Sequence, residues 1–119
     1  MILREMCRAK IHRLKVTEAN LDYEGSITID SILLDAAQII PAEKVQVVNI
    51  TQGHRFETYV IAGKAGSGTV CLNGGAAHLG KANDLVIVIA YALVDEESLK
   101  TFKPKIVLVN PDNTVKAKI

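Results

Sequence analysis

A small β-barrel, closed or partly closed, is the fold class the sequence predicts. Three observations carry this. Apolar, β-branched runs are short and numerous, turn residues interrupt them often, and only one stretch reads as a short helix. The 119 residues fit one domain spanning 1–119. With 49% hydrophobic residues but few aromatics and no Trp, its core is expected to be built from Val, Ile, Leu and Ala.

In chain order, Lys10 to Thr17 alternates imperfectly. Leu14 and Val16 share a phase that Ile11 misses by one, which a strand with a bulge explains. Tyr23-Glu24-Gly25-Ser26 precedes the β-branched run Ile27-Thr28-Ile29 and reads as a turn entering a strand. Asp30-Ser31 offers an N-cap for a helix of two turns at most through Ile32, Leu33, Leu34, Ala36 and Ala37, with Pro41 marking its end. Val45 to Ile50 is a strand, Gln52-Gly53 a turn, and Phe56 to Ala62 the returning strand. Gly63 to Thr69 is glycine-rich but lacks the Lys of a phosphate loop, so a hairpin connection is expected. Thr69 to Leu72 is a strand, and Ala76-Ala77-His78 a helical turn after Asn73-Gly74-Gly75. Gly80 to Asp84 turns into a long buried strand, Leu85 to Leu93. Asp95 to Ser98 is a charged turn or helical end, Lys105 to Asn110 a strand, and Pro111-Asp112-Asn113 its turn. Val115 to Ile119 adds an edge strand or stays loose.

Charge and apolar patterning narrow the function classes. Fourteen Lys and Arg against thirteen Asp and Glu leave no basic field for nucleic acid or an anionic membrane. The longest apolar run, Leu85 to Val94, is half the length of a membrane-spanning helix. Met1 to Met6 mixes charge with apolar groups too early for a signal-peptide core, so a cytoplasmic protein with Cys7 and Cys71 reduced is expected. His12, His54, His78 and the cysteines have no metal-ligand spacing, and no metal is expected.

Gly25-Ser26 also admits a chemical reading. A Ser hydroxyl can attack the carbonyl preceding it and convert the amide to an ester. Gly on the carbonyl side removes the Cβ that would block the approach and permits a strained backbone. Elimination from that ester and hydrolysis leave a ketone, a pyruvoyl group, at the new amino terminus.

That site has company. Lys10-Ile11-His12-Arg13 upstream, Arg55-Phe56-Glu57-Thr58-Tyr59 downstream and Asn73-Gly74-Gly75-Ala76-Ala77-His78 beyond keep one order and spacing. Together these stretches resemble the aspartate 1-decarboxylase family, from Met1 to the Pro111 region. The resemblance implies a double-psi β-barrel assembled as a homotetramer with sites between subunits. It implies autocatalytic cleavage at Gly25–Ser26 into residues 1–25 (β chain) and 26–119 (α chain). It further implies pyruvoyl-dependent decarboxylation of L-aspartate to β-alanine and CO2 in pantothenate, hence coenzyme A, synthesis. The cofactor is then covalent, a pyruvoyl made from Ser26, and a maturation helper protein is a candidate partner.

Residue roles follow from the same resemblance. Ser26 becomes the pyruvoyl, which forms a Schiff base with the substrate amine. Tyr59 is the proton donor; a phenol keeps its proton at neutral pH. Lys10 and Arg55 meet the substrate carboxylates. Arg55 is aimed at the side-chain carboxylate, because gripping the α-carboxylate would favour the group that must lose its charge. Thr58 hydrogen-bonds near the cleavage carbonyl and the substrate. Asn73, Gly74, Gly75 and Ala76 hold the substrate, with Gly75 standing where the family usually has Ala. Tyr23 lies beside the cleavage site. A regular strand sends Thr58 and Tyr59 to opposite faces, so both line one site only if the strand bends or ends near a subunit boundary. Three other readings remain open on residues alone. They are an unprocessed barrel that binds a small amino acid or partner, an oligomeric scaffold, and a pyruvoyl decarboxylase for another amino acid such as glutamate.

Overall fold

The run that breaks alternation near Ile11 becomes the central strand of the molecule. The computed structural model describes residues 1–119, and β1 (Leu3–Lys15) pairs with β7 (Leu85–Asp95) antiparallel and with β8 (Lys105–Val109) in parallel. Between the pairs Ile11↔Val88 and Leu14↔Val86, β1 spends one extra residue, and Arg13 takes a left-handed φ of 69°. This is the expected bulge, and it returns Leu14 to the inner face beside Ile11, both fully buried. A second bulge, between Cys7 and Ala9, was not legible in the alternation.

The remaining strands are β2 (Glu18–Asn20), β3 (Ser26–Asp30), β4 (Lys44–Asn49), β5 (His54–Gly63), β6 (Val70–Asn73) and β9 (Val115–Lys118). Their order in the sheet is β2-β6-β3-β5-β4-β7-β1-β8-β9. The sheet closes where β1 ends. Thr17 N–H donates to the Val70 carbonyl at 2.7 Å, and Val70 N–H returns to Thr17 Oγ1 at 2.9 Å. The chain then runs on as β2 beside β6, so the β1–β2 ribbon brings the β6 side of the sheet round to β1 and makes a small mainly-β barrel. The inner face is aliphatic, with Ile11, Leu14, Ile27, Ile29, Val47, Val60, Leu72, Val86 and Val88 all within 1% of complete burial. The strands left with one partner, β2 and β9, are short, three and four residues, which limits the edge open to pairing between chains.

The one α-helix, α1 (Ser31–Ala37), starts where Asp30 Oδ1 accepts the Ile32 N–H at 2.9 Å. It stops at Gln38, in the left-handed conformation, three residues before Pro41. Asp30 also organises the glycine-rich segment: its two oxygens accept the N–H groups of Gly66 and Gly68 at 3.1 and 2.9 Å. The amides that a phosphate loop would offer to an anion are thus committed to this carboxylate. The segment is not a hairpin. β5 and β6 flank β3 on opposite sides, in parallel and antiparallel respectively, so the connection crosses the end of β3. Local turn chemistry cannot distinguish a crossing from a hairpin, because both need the same left-handed glycines.

β7 is buried on one face only. Val86, Val88 and Ala90 enter the core, while Tyr91 and Leu93 stand on the outer face at 37% and 66% exposure. The charged segment after β7 ends in a single 3₁₀ turn, Ser98–Lys100, and the last residues do form the edge strand β9.

A second buried carboxylate fixes the opposite end of the barrel. Asp84 accepts from Asn49 Nδ2 and Lys81 N–H, both at 3.0 Å, and from Gln52 Nε2 at 3.4 Å. Burial works against its charge, but these hydrogen bonds, with the Lys81 ammonium, hold its carboxyl below the usual range. A carboxyl whose folded pKa is lowered contributes stability above its unfolded pKa and loses it as pH falls through the folded value. Asp84→Asn is therefore expected to destabilise the protein at neutral pH by about 1–3 kcal/mol, through donors left facing an amide. In urea unfolding, the gap from the parent chain should close as the solution is acidified below the ordinary carboxylate range. A gap that stays constant with pH would show that the charge of Asp84 contributes nothing.

Candidate active site

Ser26 is the first residue of β3, and its pairing defines the site. Across the antiparallel register of β3 and β6, Ser26 faces Asn73 and Thr28 faces Cys71. Directly opposed residues share a sheet face, so these four side chains form one cluster. Asn73 Nδ2 donates to Ser26 Oγ and to Thr28 Oγ1, each at 2.9 Å. Cys71 Sγ donates to Asn73 Oδ1 at 3.1 Å. Ser26 Oγ in turn donates to the Glu24 carbonyl at 3.0 Å, so the hydroxyl is folded back over the chain that precedes it. Ser26 is fully buried and Asn73 is 3% exposed, whereas Tyr23, Glu24 and Gly25 are exposed. A buried hydroxyl beside an exposed, unhindered carbonyl suits intramolecular attack better than attack by outside water. Burial of Cys71, with the Glu18 carboxylate adding to it, pushes its thiol above the ordinary value, so the sulfur keeps the proton it donates.

Glycine matters here at one position more than the sequence implied. Gly74 opens the 3₁₀ turn Gly74–His78 with a φ of 58°. A Cβ on Gly74 would lie 2.5 Å from the Tyr23 carbonyl oxygen and 2.6 Å from Gly25 N. The turn therefore closes directly against the Tyr23–Gly25 segment, and only glycine allows the approach. Gly75 is different: a Cβ there would meet nothing within 4 Å, so the alanine usual in the family fits without change. Gly25 is not in the left-handed region, and its Cβ would meet only Gly75 N at 3.8 Å. In the uncleaved chain glycine supplies room at the carbonyl, and the strained backbone expected there is absent. Ala76 is buried, and its carbonyl accepts the Leu79 N–H that closes the turn.

β5 brings Tyr59 to the same face. In the parallel register Ile27↔Val60, both inner-face residues, Tyr59 comes level with Ser26 and Thr58 level with Gly25. Tyr59 then lies on the same outer face as Ser26, Thr28 and Asn73. Thr58 pairs with Val45, so it turns to the inner face, and the strand is regular from His54 to Tyr59. The expected opposition of Thr58 and Tyr59 is thus real.

The two cations lie farther off on the outer face. Arg55 is four residues from Tyr59 along β5, about 13 Å at the rise of a strand. Its Nη1 donates to Gln46 Oε1 at 2.8 Å, and the Tyr91 hydroxyl donates to the same oxygen at 2.8 Å. Lys10 sits in the row Lys10–Ile89–Gln46–Glu57, on β1, four strands from β3. At roughly 4.8 Å per strand that is about 19 Å around the barrel, beyond the reach of one lysine. Burial lowers the pKa of His12, and the neighbouring Lys10 and Arg13 charges add to this. His12 lines an open hollow of about 480 Å³ with Arg13, Lys15 and Lys116; Ser26 is not part of it. Thr28 and Cys71 were missed by sequence reasoning. The available signal was their position, two residues from Ser26 and from Asn73 on the same strand faces.

Gly74→Ala is expected to cost about 2 kcal/mol or more, since the left-handed backbone alone costs ~1–2 kcal/mol with a side chain and the Tyr23–Gly25 segment must also move. Gly75→Ala should be neutral or stabilising by about 0.5 kcal/mol, through the unfolded chain. Thermal midpoints of the two variants measure the contrast, and equal losses would refute the close approach at Gly74.

Comparison with known proteins identifies the family. The family model described as aspartate decarboxylase matches residues 2–116. The aspartate 1-decarboxylase of Thermoanaerobacter pseudethanolicus is 54% identical over 110 residues, covering 92% of this chain and 94% of that protein. That of Staphylococcus aureus strain JH9 is 54% identical over 114 residues, covering 96% of this chain and 90% of the relative. With a match that runs from β1 through the Ser26–Asn73 pair to the first half of β9, the chain belongs to the aspartate decarboxylase family.

Proposed function

We propose that this chain cleaves itself between Gly25 and Ser26 and then decarboxylates L-aspartate to β-alanine and CO2, the step that supplies β-alanine to pantothenate synthesis. The observation that carries the reading is the Ser26 hydroxyl. It is buried at the head of β3, held by Asn73 at 2.9 Å and turned toward the segment ending in Gly25.

In maturation, Ser26 Oγ bonds to the Gly25 carbonyl carbon, the Gly25–Ser26 C–N bond breaks, and the hydroxyl proton ends on the freed amine. Asn73 orients the hydroxyl, and the family resemblance gives Thr58 the hydrogen bond to the developing oxyanion, although its side chain turns to the inner face in the uncleaved chain. Loss of the Ser26 α-proton expels Gly25 as a carboxylate, and water then displaces ammonia. The site fits the resulting group: Ser26 is already enclosed, and Asn73 can hydrogen-bond an oxygen at that position. A pyruvoyl there supplies the electron sink that decarboxylation next to an amine requires.

The chain's own side chains do the rest. Arg55, with its planar fork, binds the side-chain carboxylate, and the backbone of Gly74, Gly75 and Ala76 approaches the substrate closely. Tyr59 Oη delivers the proton to the α-carbon after CO2 departs. Lys10 completes the charge balance from a neighbouring chain, because four strands separate it from the Ser26 of its own. The exposed Tyr91 and Leu93 on the outer face of β7 are consistent with burial between copies, and we assign a homotetramer with shared sites. The compartment assigned is the cytoplasm, and a helper protein for maturation fits the scheme without being required by it.

Intact-mass measurement should find fragments 1–25 and 26–119, the larger one lighter by one ammonia than a Ser-terminated chain and reactive with carbonyl reagents. Ser26→Ala should remain whole and release no CO2 from L-aspartate. A parent chain that stays whole and inactive would end the proposal.

The shared site has its own test. Lys10→Ala and Ser26→Ala chains should each be inactive alone, yet regain part of the activity when co-expressed. Hybrid sites then combine an intact Ser26 with an intact Lys10. Absence of complementation in mixed oligomers would place Lys10 and Ser26 in the same chain's site or remove Lys10 from it.

A further inference from the structure

We propose that Cys71 is a positioning residue for self-cleavage, its thiol fixing which way the Asn73 amide faces Ser26. This deepens the maturation reading and rests on it. The geometry is a two-by-two cluster on one face of β3 and β6, with Ser26 opposite Asn73 and Thr28 opposite Cys71. Asn73 has one amide, and its two ends ask for opposite partners. The thiol donates to Oδ1 at 3.1 Å, which turns both N–H groups toward Ser26 Oγ and Thr28 Oγ1, each at 2.9 Å.

The orientation has a chemical consequence. With an N–H directed at it, Ser26 Oγ is an acceptor toward Asn73, and its own proton goes to the Glu24 carbonyl at 3.0 Å. A flipped amide would present Oδ1 to Ser26 instead. The Ser26 proton would then be drawn toward Asn73, and the hydroxyl would turn away from the chain it must attack. Thr28 does not settle the choice, since a hydroxyl serves as donor or acceptor equally well. Cys71 does settle it: the thiol is 7% exposed, enclosed beside Asn73, and kept protonated by burial. The only other acceptor near the single S–H proton, the Leu72 carbonyl, lies farther off at 3.9 Å, so the proton goes to Asn73.

A hydroxyl can replace the thiol as donor, and a methyl group cannot. Chains made by cell-free translation can be followed by intact mass from the moment of synthesis. Cys71→Ala is expected to cleave about tenfold more slowly than the parent, the effect of losing one orienting hydrogen bond. Cys71→Ser should recover the parent rate to within about twofold, although it restores less volume than a thiol. Recovery by Ser is the readout that a packing role would not produce. An Ala variant as fast as the parent, or a Ser variant that folds and is as slow as Ala, overturns the assignment. If Ala fails to fold, the Ser rate alone decides. A parent chain that never cleaves speaks against self-cleavage itself, a different outcome from normal cleavage in all three chains.

Discussion

The pairing of Ser26 with Asn73 across β3 and β6 is the constraint on which the rest depends. It places the Ser26 hydroxyl at a strand's first residue, where the preceding chain is free to be exposed and the following chain is locked into the barrel. Had the register shifted by one residue, Ser26 would point into the aliphatic core and Ile27 would replace it at the site. Register is held by that core: Ile27 and Ile29 on β3 are buried with Leu72, Val70 and Val60 around them. The chemistry of the outer face is thus fixed by packing on the inner one.

Two carboxylates stabilise the loops that the barrel leaves outside its ladders. Asp30 gathers the first helical N–H and two glycine amides, and Asp84 gathers Asn49, Gln52 and the Lys81 amide. Both are nearly inaccessible to water, at 3% and 2% exposure. A buried carboxylate is tolerable when its oxygens meet several donors, and each donor set here joins one local amide to groups distant in sequence. These charges act as organisers of crossing connections that no ladder could hold.

The outer face explains why a single chain is not a complete catalyst in this scheme. Tyr59 stands level with Ser26, but Arg55 is directed to Gln46 and Tyr91, and Lys10 lies strands away. A closed barrel curves its outer side chains apart, so groups dispersed on that face converge only when another surface meets it. The same face carries the apolar side chains of Tyr91 and Leu93, so association would bury them while it brings cations to the ketone.

Legible from the residues alone were the mainly-β class, the bulge in β1, the capped helix α1, most strands other than β2 and the first half of β1, and the motif set around Gly25-Ser26. Each of these is written in local alternation, turn chemistry or motif spacing. Only the tertiary structure decided that the glycine-rich segment crosses β3, that Gly74 and not Gly75 needs to be glycine, and that Thr28 and Cys71 join the Ser26 cluster. β7 illustrates the limit well: a run apolar on both faces reads as wholly buried, yet Tyr91 and Leu93 stand exposed on its outer face. The physical reason is common to all of these. Strand neighbours in this barrel come from distant parts of the chain, and a pattern of residues records which face a side chain takes without recording which strand lies beside it.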